Sequence, residues 1–206
     1  MDEELQNRIR RIYAAIRDIS ERDISKFQPH LSRSEKCVFV CQDFRGGLSD
    51  EQLSNLAYSA ISNLANLKDH LRRWAKRHGR DPDRVDETVR ESTELKVIID
   101  LSNADKHGGG QRDGGWSGTS PELTDVKRVM SFSIGRDPHP SSVSLALTPE
   151  PVVLATGSGS AAVIVIGRIV DGNGLYIGDL YRFLAKGTAA WEHLLTEFGM
   201  EAESSE

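Results

Sequence analysis

Apolar positions recur every three or four residues through most of the first half of the chain, and they alternate or form short runs through much of the second. Leu5, Ile9, Ile12, Ile16 and Ile19, separated by Arg, Asp and Glu, predict an amphipathic helix over Glu4 to Ile24. Ser49 followed by Gln52 forms a capping box, and Leu53, Ala57, Ala60, Leu64, Leu67, Leu71 and Trp74 carry a second helix to about His78, where Gly79 stops it. Asp81-Pro82 opens a third helix, read as continuous from Pro82 to about His107 and ended by Gly108-Gly109-Gly110. Lys36 to Phe44 fits a helix face or a strand, and its β-branched and aromatic content favours a strand.

Beyond Ser120 the period changes. Val126 to Ile134 and Val143 to Leu147 are strand-like, Val152 to Ala155 and Ala161 to Val170 read as a hairpin about Gly157-Ser158-Gly159-Ser160, and Asp171-Gly172-Asn173-Gly174 turns into Leu175-Tyr176-Ile177. Asp179 to Phe198 closes the pattern as an amphipathic helix through Leu180, Phe183, Leu184, Trp191, Leu194 and Leu195. The glycine-rich stretch Gly108 to Ser120 is the preferred boundary, dividing the chain into 1–112 and 113–206, two parts able to pack as one. The fold class expected is α+β: an N-terminal helical bundle, then a small antiparallel β-sheet and a C-terminal helix.

Composition narrows the function classes. With 38% hydrophobic and 28% charged residues over 206 positions, the chain is an ordinary globular mixture. The longest apolar run, Ala161 to Ile166, is too short to span a bilayer, and the acidic start Met1-Asp2-Glu3-Glu4 lacks the features of a secretory signal. A cytoplasmic protein with no membrane association is expected. Cys37 and Cys41 have neither redox nor zinc spacing and read as reduced thiols. A net charge of −5 argues against indiscriminate coating of nucleic acid while leaving room for a local basic site. No glycine-rich segment precedes Gly-Lys-Ser/Thr, and no carboxylate cluster or nucleophile elbow appears, so no cofactor or metal is expected.

The polar chemistry concentrates on two helices. Near the end of the third, Asp100, Asn103 and His107 fall within about 60° of one another, on a helix otherwise covered by Leu95, Ile98, Ile99 and Leu101. The second helix carries a matching polar edge of Asn55, Ser59, Asn66, His70, Arg73 and Arg77, and the stretch Lys68 to Arg80 is the most basic in the chain, with Lys68, Arg72, Arg73, Lys76, Arg77 and Arg80 around Trp74. Cations with an interleaved aromatic suit phosphate contacts and base stacking; a solvated helix face with Trp74 in the core accounts for the same residues. Lys68, His70, Arg72, Arg73 and Arg77 are the nucleic-acid-binding candidates. Asp100, Asn103 and His107 fit equally a hydrogen-bond network that fixes helix packing.

Leu67-Lys68-Asp69-His70-Leu71 on one helix and Asp100-Leu101-Ser102-Asn103-Ala104-Asp105-Lys106-His107 closing the next resemble HEPN-type helical domains of prokaryotic and phage proteins, over about Ser49 to Gly110. The resemblance implies a helical bundle, dimeric in most members, and in many a metal-independent ribonuclease whose motif is Arg, four to six residues, then His. His107 matches the His; Asp100, Leu101 and Ser102 fill the places open to the Arg. On this reading His107 is the general acid/base, Asn103 and Asp100 orient it, and Lys106 contacts phosphate; Arg73 and Arg112 are further cations. Two function classes follow: a ribonuclease of a conflict system such as toxin–antitoxin or phage defence, or a non-catalytic homodimeric interaction module. The partners expected are a second copy through the helical half, RNA, and a protein for the β-rich half.

Overall fold

A computed structural model describes residues 2–27, 30–108, 115–134, 142–146 and 152–200. Its helices are α1 (Glu3–Asp18), α2 (Asp50–Arg77), α3 (Asp83–Glu91), α4 (Thr93–His107) and α5 (Leu180–Glu197). Its strands are β1 (Ser20–Glu21), β2 (His30–Arg33), β3 (Val38–Cys41), β4 (Glu122–Ser133), β5 (Ser142–Ala146), β6 (Val152–Thr156), β7 (Ser160–Val170) and β8 (Tyr176–Asp179). A four-stranded antiparallel sheet runs in the order β1–β7–β4, with β8 also paired to β7. The mixed helix-and-sheet class is thus observed.

Two compact units are present, and neither is continuous in sequence. One comprises 1–19, 54–126 and 166–206; the other comprises 20–53 and 127–165. The long strands β4 and β7 each contribute residues to both units, because each unit uses a different portion of the same strand. The 112/113 boundary expected from the glycine-rich stretch falls inside the first unit.

The first unit is built on apolar helix faces. The Asp2 carboxylate caps α1 by accepting from the Leu5 amide at 2.9 Å, and Leu5, Ile9, Ile12 and Ala15 are buried on one side. The α2 seam of Ala57, Ala60, Leu64, Leu67 and Leu71 is almost fully removed from water, as are Leu95, Ile98 and Leu101 of α4 and Trp191, Leu194 and Leu195 of α5. Burying each of the leucine and isoleucine side chains among them contributes about 1.5–3 kcal/mol. The Trp191 indole Nε1–H donates to the Leu64 carbonyl at 3.1 Å, an acceptor that α2's own ladder does not reserve exclusively. Gly187 lets α5 come close: a Cβ there would lie 3.0 Å from Ile98 Cδ1, 3.1 Å from Leu64 Cδ2 and 3.3 Å from Leu95 Cδ2. Arg84 of α3 ties the same bundle at its edge, reaching Glu197 of α5 at 2.9 Å.

The second unit holds two antiparallel hairpins, β2–β3 (His30 opposite Cys41) and β5–β6 (Ser142 opposite Thr156). Ile24, Phe27 and Val163 form its small core, with Phe44 and Met130 packed against them. Lys36 to Phe44 does contain a strand, β3, as its β-branched content favours.

Three expectations are corrected. The first helix ends at Asp18 rather than Ile24, because Ser20 and Glu21 pair with Ile164 and Val163 of β7. The third helix is two: Ser92, with φ −100° and ψ 113°, leaves the helical region, ends α3, and caps α4 by accepting from the Leu95 amide at 3.1 Å. Among the described residues β6 pairs with β5 and not with β7, although a turn at Gly157 (φ +61°) joins β6 to β7. The second expected hairpin does form: Arg168 of β7 lies opposite Asp179 of β8.

The close approach at Gly187 makes a test of this packing. Gly187→Val is expected to lower stability by about 1–3 kcal/mol through overpacking against Leu64, Leu95 and Ile98. Urea unfolding followed by circular dichroism would read it, and an unchanged midpoint would show that α5 does not depend on this contact.

Candidate nucleic-acid interface

The polar edge of α2 forms one stripe, because Ser59, Asn66 and Arg73 are spaced by seven residues, or nearly two whole turns each. Its N-terminal half is neutral and its C-terminal half cationic. Glu4 of α1 lies against the cationic end, 3.6 Å from His70 and 3.4 Å from Arg77.

Several of the cations are already engaged. Arg72 pairs with Asp86 at 3.4 Å, and Arg77 with Asp2 at 3.5 Å and with Glu4. Arg73 is different: its guanidinium donates to the His70 Nδ1 at 2.9 Å and to the Asp69 carbonyl at 3.3 Å, and it forms no ion pair among the described residues. Lys76 and Arg80 have no ion pair among the described residues. An open concavity of about 710 Å³ is lined by Asp69, Arg72, Arg73, Lys76 and Pro82, three cations against one carboxylate. Trp74 faces inward, stacked on His78 at 4.5 Å and on Phe198 at 5.8 Å, and is 5% exposed, so it offers no stacking platform for a base.

Burial, with the nearby charges of Arg8 and Arg73, holds the His70 pKa below its ordinary value of 6.5, against the opposing pull of Glu4. The neutral ring can then accept the Arg73 hydrogen bond at Nδ1, which a protonated ring could not.

At the end of α4 the predicted residues part company. Asp100 is 3% exposed, and its two carboxylate oxygens accept from the backbone amides of Trp116 at 2.9 Å and Ser117 at 2.6 Å. It anchors the later part of the glycine-rich stretch, of which residues 109–114, Arg112 included, lie outside the described residues. Lys68 completes the anchor, its ammonium 4.6 Å from the centre of the Trp116 ring. Lys106 donates to the Asn66 Oδ1 at 2.7 Å, and the buried Ser102 hydroxyl to the Ser62 Oγ at 3.4 Å, so α2 and α4 are joined by polar contacts along their shared edge. Asn103 is half-buried. His107 is exposed at the helix end beside Gly108, which adopts φ +71° to terminate α4. Among the described residues neither Asn103 nor Asp100 forms a side-chain hydrogen bond with His107.

The structure therefore brings Lys68 to Trp116, Lys106 to Asn66, and Arg73 to His70, and leaves His107 open to solvent. The sequence pattern pointed to Asn55, Ser59 and Asn66 but passed over Tyr58, Ser62, Asn63 and Asp105. These four line, with those three, a polar groove of about 410 Å³. Ser62 and Asn63 stand three and four residues from both Ser59 and Asn66, and that spacing carried the signal for those two. Among the described residues no group of three or more His, Cys, Asp or Glu could hold a metal ion, and no helix is long and apolar enough to cross a membrane. No protein-family model, curated protein or solved structure matches the chain.

Two outcomes are expected. Asp100→Ala leaves the Trp116 and Ser117 amides without their acceptor and should cost about 2–3 kcal/mol, with Asp100→Asn losing less. Equal stability of wild type and Asp100→Ala in denaturant titrations would remove Asp100 as an anchor. For His70 the folded-state pKa lies below 6.5, so the folded state binds fewer protons than the unfolded chain there. The His70 contribution should be intact above pH 6.5 and lost as the pH falls through the folded pKa. His70→Gln should flatten the thermal-stability profile in that window, and an unaltered profile would show that His70 does not titrate against folding.

Proposed function

We propose that the chain acts on RNA: the basic end of α2 holds phosphates, and His107 at the end of α4 supplies the acid–base group for metal-independent cleavage. The observation that carries this reading is the cationic concavity, where Arg73 and Lys76 keep their charge available beside Arg72. Phosphate binding needs such uncompensated cations, since a guanidinium already paired with a carboxylate must give up that pair first.

The exposure of His107 supports the chemical half of the reading. In such a cleavage the imidazole accepts the proton of a ribose 2′-hydroxyl as that oxygen bonds to the adjacent phosphorus. The bond to the 5′-oxygen breaks, and this oxygen takes a proton from water, leaving a 2′,3′-cyclic phosphate and a 5′-hydroxyl. An imidazole serves as the general base for the first transfer, and the imidazolium then returns its proton to the hydroxide left by that water. This matches the activity implied by the HEPN-like resemblance, with a homodimer through the helical half, a protein partner for the β-rich half, and a role in a prokaryotic conflict or phage-defence system.

A second reading, a non-catalytic interaction module that dimerises through its helices, is favoured by one observation. The Asp100 carboxylate, one of the two groups proposed to orient His107, is committed to loop amides, and the Lys106 ammonium proposed to contact phosphate is held by Asn66.

Cleavage of structured and unstructured RNAs in EDTA separates the two. Wild type should cut, while His107→Ala should lose about 10²–10⁴-fold in rate at matched folding, and Asn103→Ala a smaller but measurable part. Absence of cleavage by well-folded wild type, or full activity in His107→Ala, would leave the interaction module as the standing reading.

A further inference from the structure

The polar groove at the N-terminal half of the α2 stripe differs in chemistry from the cationic concavity. It is lined by Asn55, Tyr58, Ser59, Ser62, Asn63 and Asn66 of α2, and by Asp105 of α4. None of these seven is a cation and Asp105 adds a carboxylate, so the lining suits phosphate less than the concavity does, with the Lys106 ammonium held against Asn66 Oδ1 at 2.7 Å. What it presents is a set of neutral donors and acceptors whose directions are already partly fixed.

Internal contacts account for only some of these groups. Asn63 donates its amide N–H to the Ser59 carbonyl at 2.8 Å, and its Oδ1 has no hydrogen bond among the described residues. Asn66 accepts from Lys106 through Oδ1, so its NH₂ remains a free donor. Ser62 receives the Ser102 hydroxyl, leaving its own O–H to donate. The half-buried Tyr58 phenol is pushed up in pKa by burial and by the charges of Asp105 and Glu122, and so stays a donor. Asn55 and Tyr58 have no side-chain hydrogen bond among the described residues, and the Asp105 carboxylate is exposed.

We infer that this groove receives one unstacked adenine of a single-stranded RNA, an assignment that rests on the RNA reading above. Adenine offers N7 as an acceptor and the N6 amino group as a donor, which a carboxamide can meet with both of its ends. The phenol and the Asn66 NH₂ supply further donors toward ring nitrogens, and Asp105 accepts from the amino group. Uracil offers neither the amino donor nor the N7 acceptor. Recognition of splayed-out bases by their hydrogen-bonding edges is the usual way proteins read single-stranded RNA. The position on α2 fits as well: Asn66 and Arg73 are two turns apart, about 10 Å along the axis. A base in the groove thus leaves its flanking phosphates within reach of the cationic end.

Fluorescence anisotropy with two labelled nonamers in EDTA tests this: an oligouridylate, and the same strand with one central adenosine. Wild type should bind the adenosine strand roughly fivefold or more tightly. Asn55→Ala and the milder Tyr58→Phe should reduce that preference below about twofold without weakening binding of the oligouridylate, while Arg73→Ala should weaken both strands alike and lower the salt dependence by about one phosphate contact. Equal affinity of wild type for the two strands, or a preference that survives both groove variants, would overturn the adenine site while leaving RNA binding intact. Failure of wild type to bind either strand would overturn the RNA reading and the adenine site together.

Discussion

The seam between α2, α4 and α5 is the constraint on which the candidate site depends. Leu64 sits at its centre: its carbonyl accepts the buried Trp191 indole N–H, and its side chain meets the face that Gly187 leaves bare. Once apolar faces of α2 and α4 are committed to α5, the opposite edges of those two helices are fixed as neighbours. Polar residues there have no choice of partner. Lys106 meets Asn66, and Ser102 meets Ser62. The stripe along α2 is thus a consequence of core packing.

Charge along that stripe is divided by the same packing. The N-terminal turn of α1 brings Asp2 and Glu4 to Arg77, and α3 brings Asp86 to Arg72. All three pairs are partly exposed and contribute little to stability, but they decide which cations remain available. Arg73 and Lys76 do, in a chain whose net charge is −5. A local basic face on an acidic protein favours selective over indiscriminate contact with polyanions.

Much of the helical half was legible in the sequence, because its signals are local. The Ser49–Gln52 capping box forms as expected, Gln52 N reaching Ser49 Oγ at 3.3 Å and Ser49 N reaching Gln52 Oε1 at 2.8 Å. The break between α3 and α4 was hidden because serine is tolerated within a helix, and only the Leu95 amide bond shows that Ser92 acts as a cap. Asp100 is the instructive case. Its periodicity placed it with Asn103 and His107 on a polar line, yet its carboxylate serves amides 16 and 17 residues further along. A contact of that kind depends on where a loop returns, which no helical period encodes. The β6–β7 pairing was misread for a related reason: the turn at Gly157 is local and correct, but β7 takes its partners from β1, β4 and β8. For the site, the stripe Asn55, Ser59, Asn66 was visible as a pattern, whereas Asp105 joins it only through the packing of α4 on α2.

We propose that RNA lies along the α2 stripe. Ultraviolet crosslinking of the full chain to a single-stranded RNA containing 4-thiouridine, followed by mass spectrometry of the crosslinked peptides, tests it most directly. Crosslinks should concentrate in peptides from Asn55 to Arg80 and from Asn103 to His107. Crosslinks confined to the unit formed by residues 20–53 and 127–165, or none under conditions where a known RNA-binding control crosslinks, would contradict it.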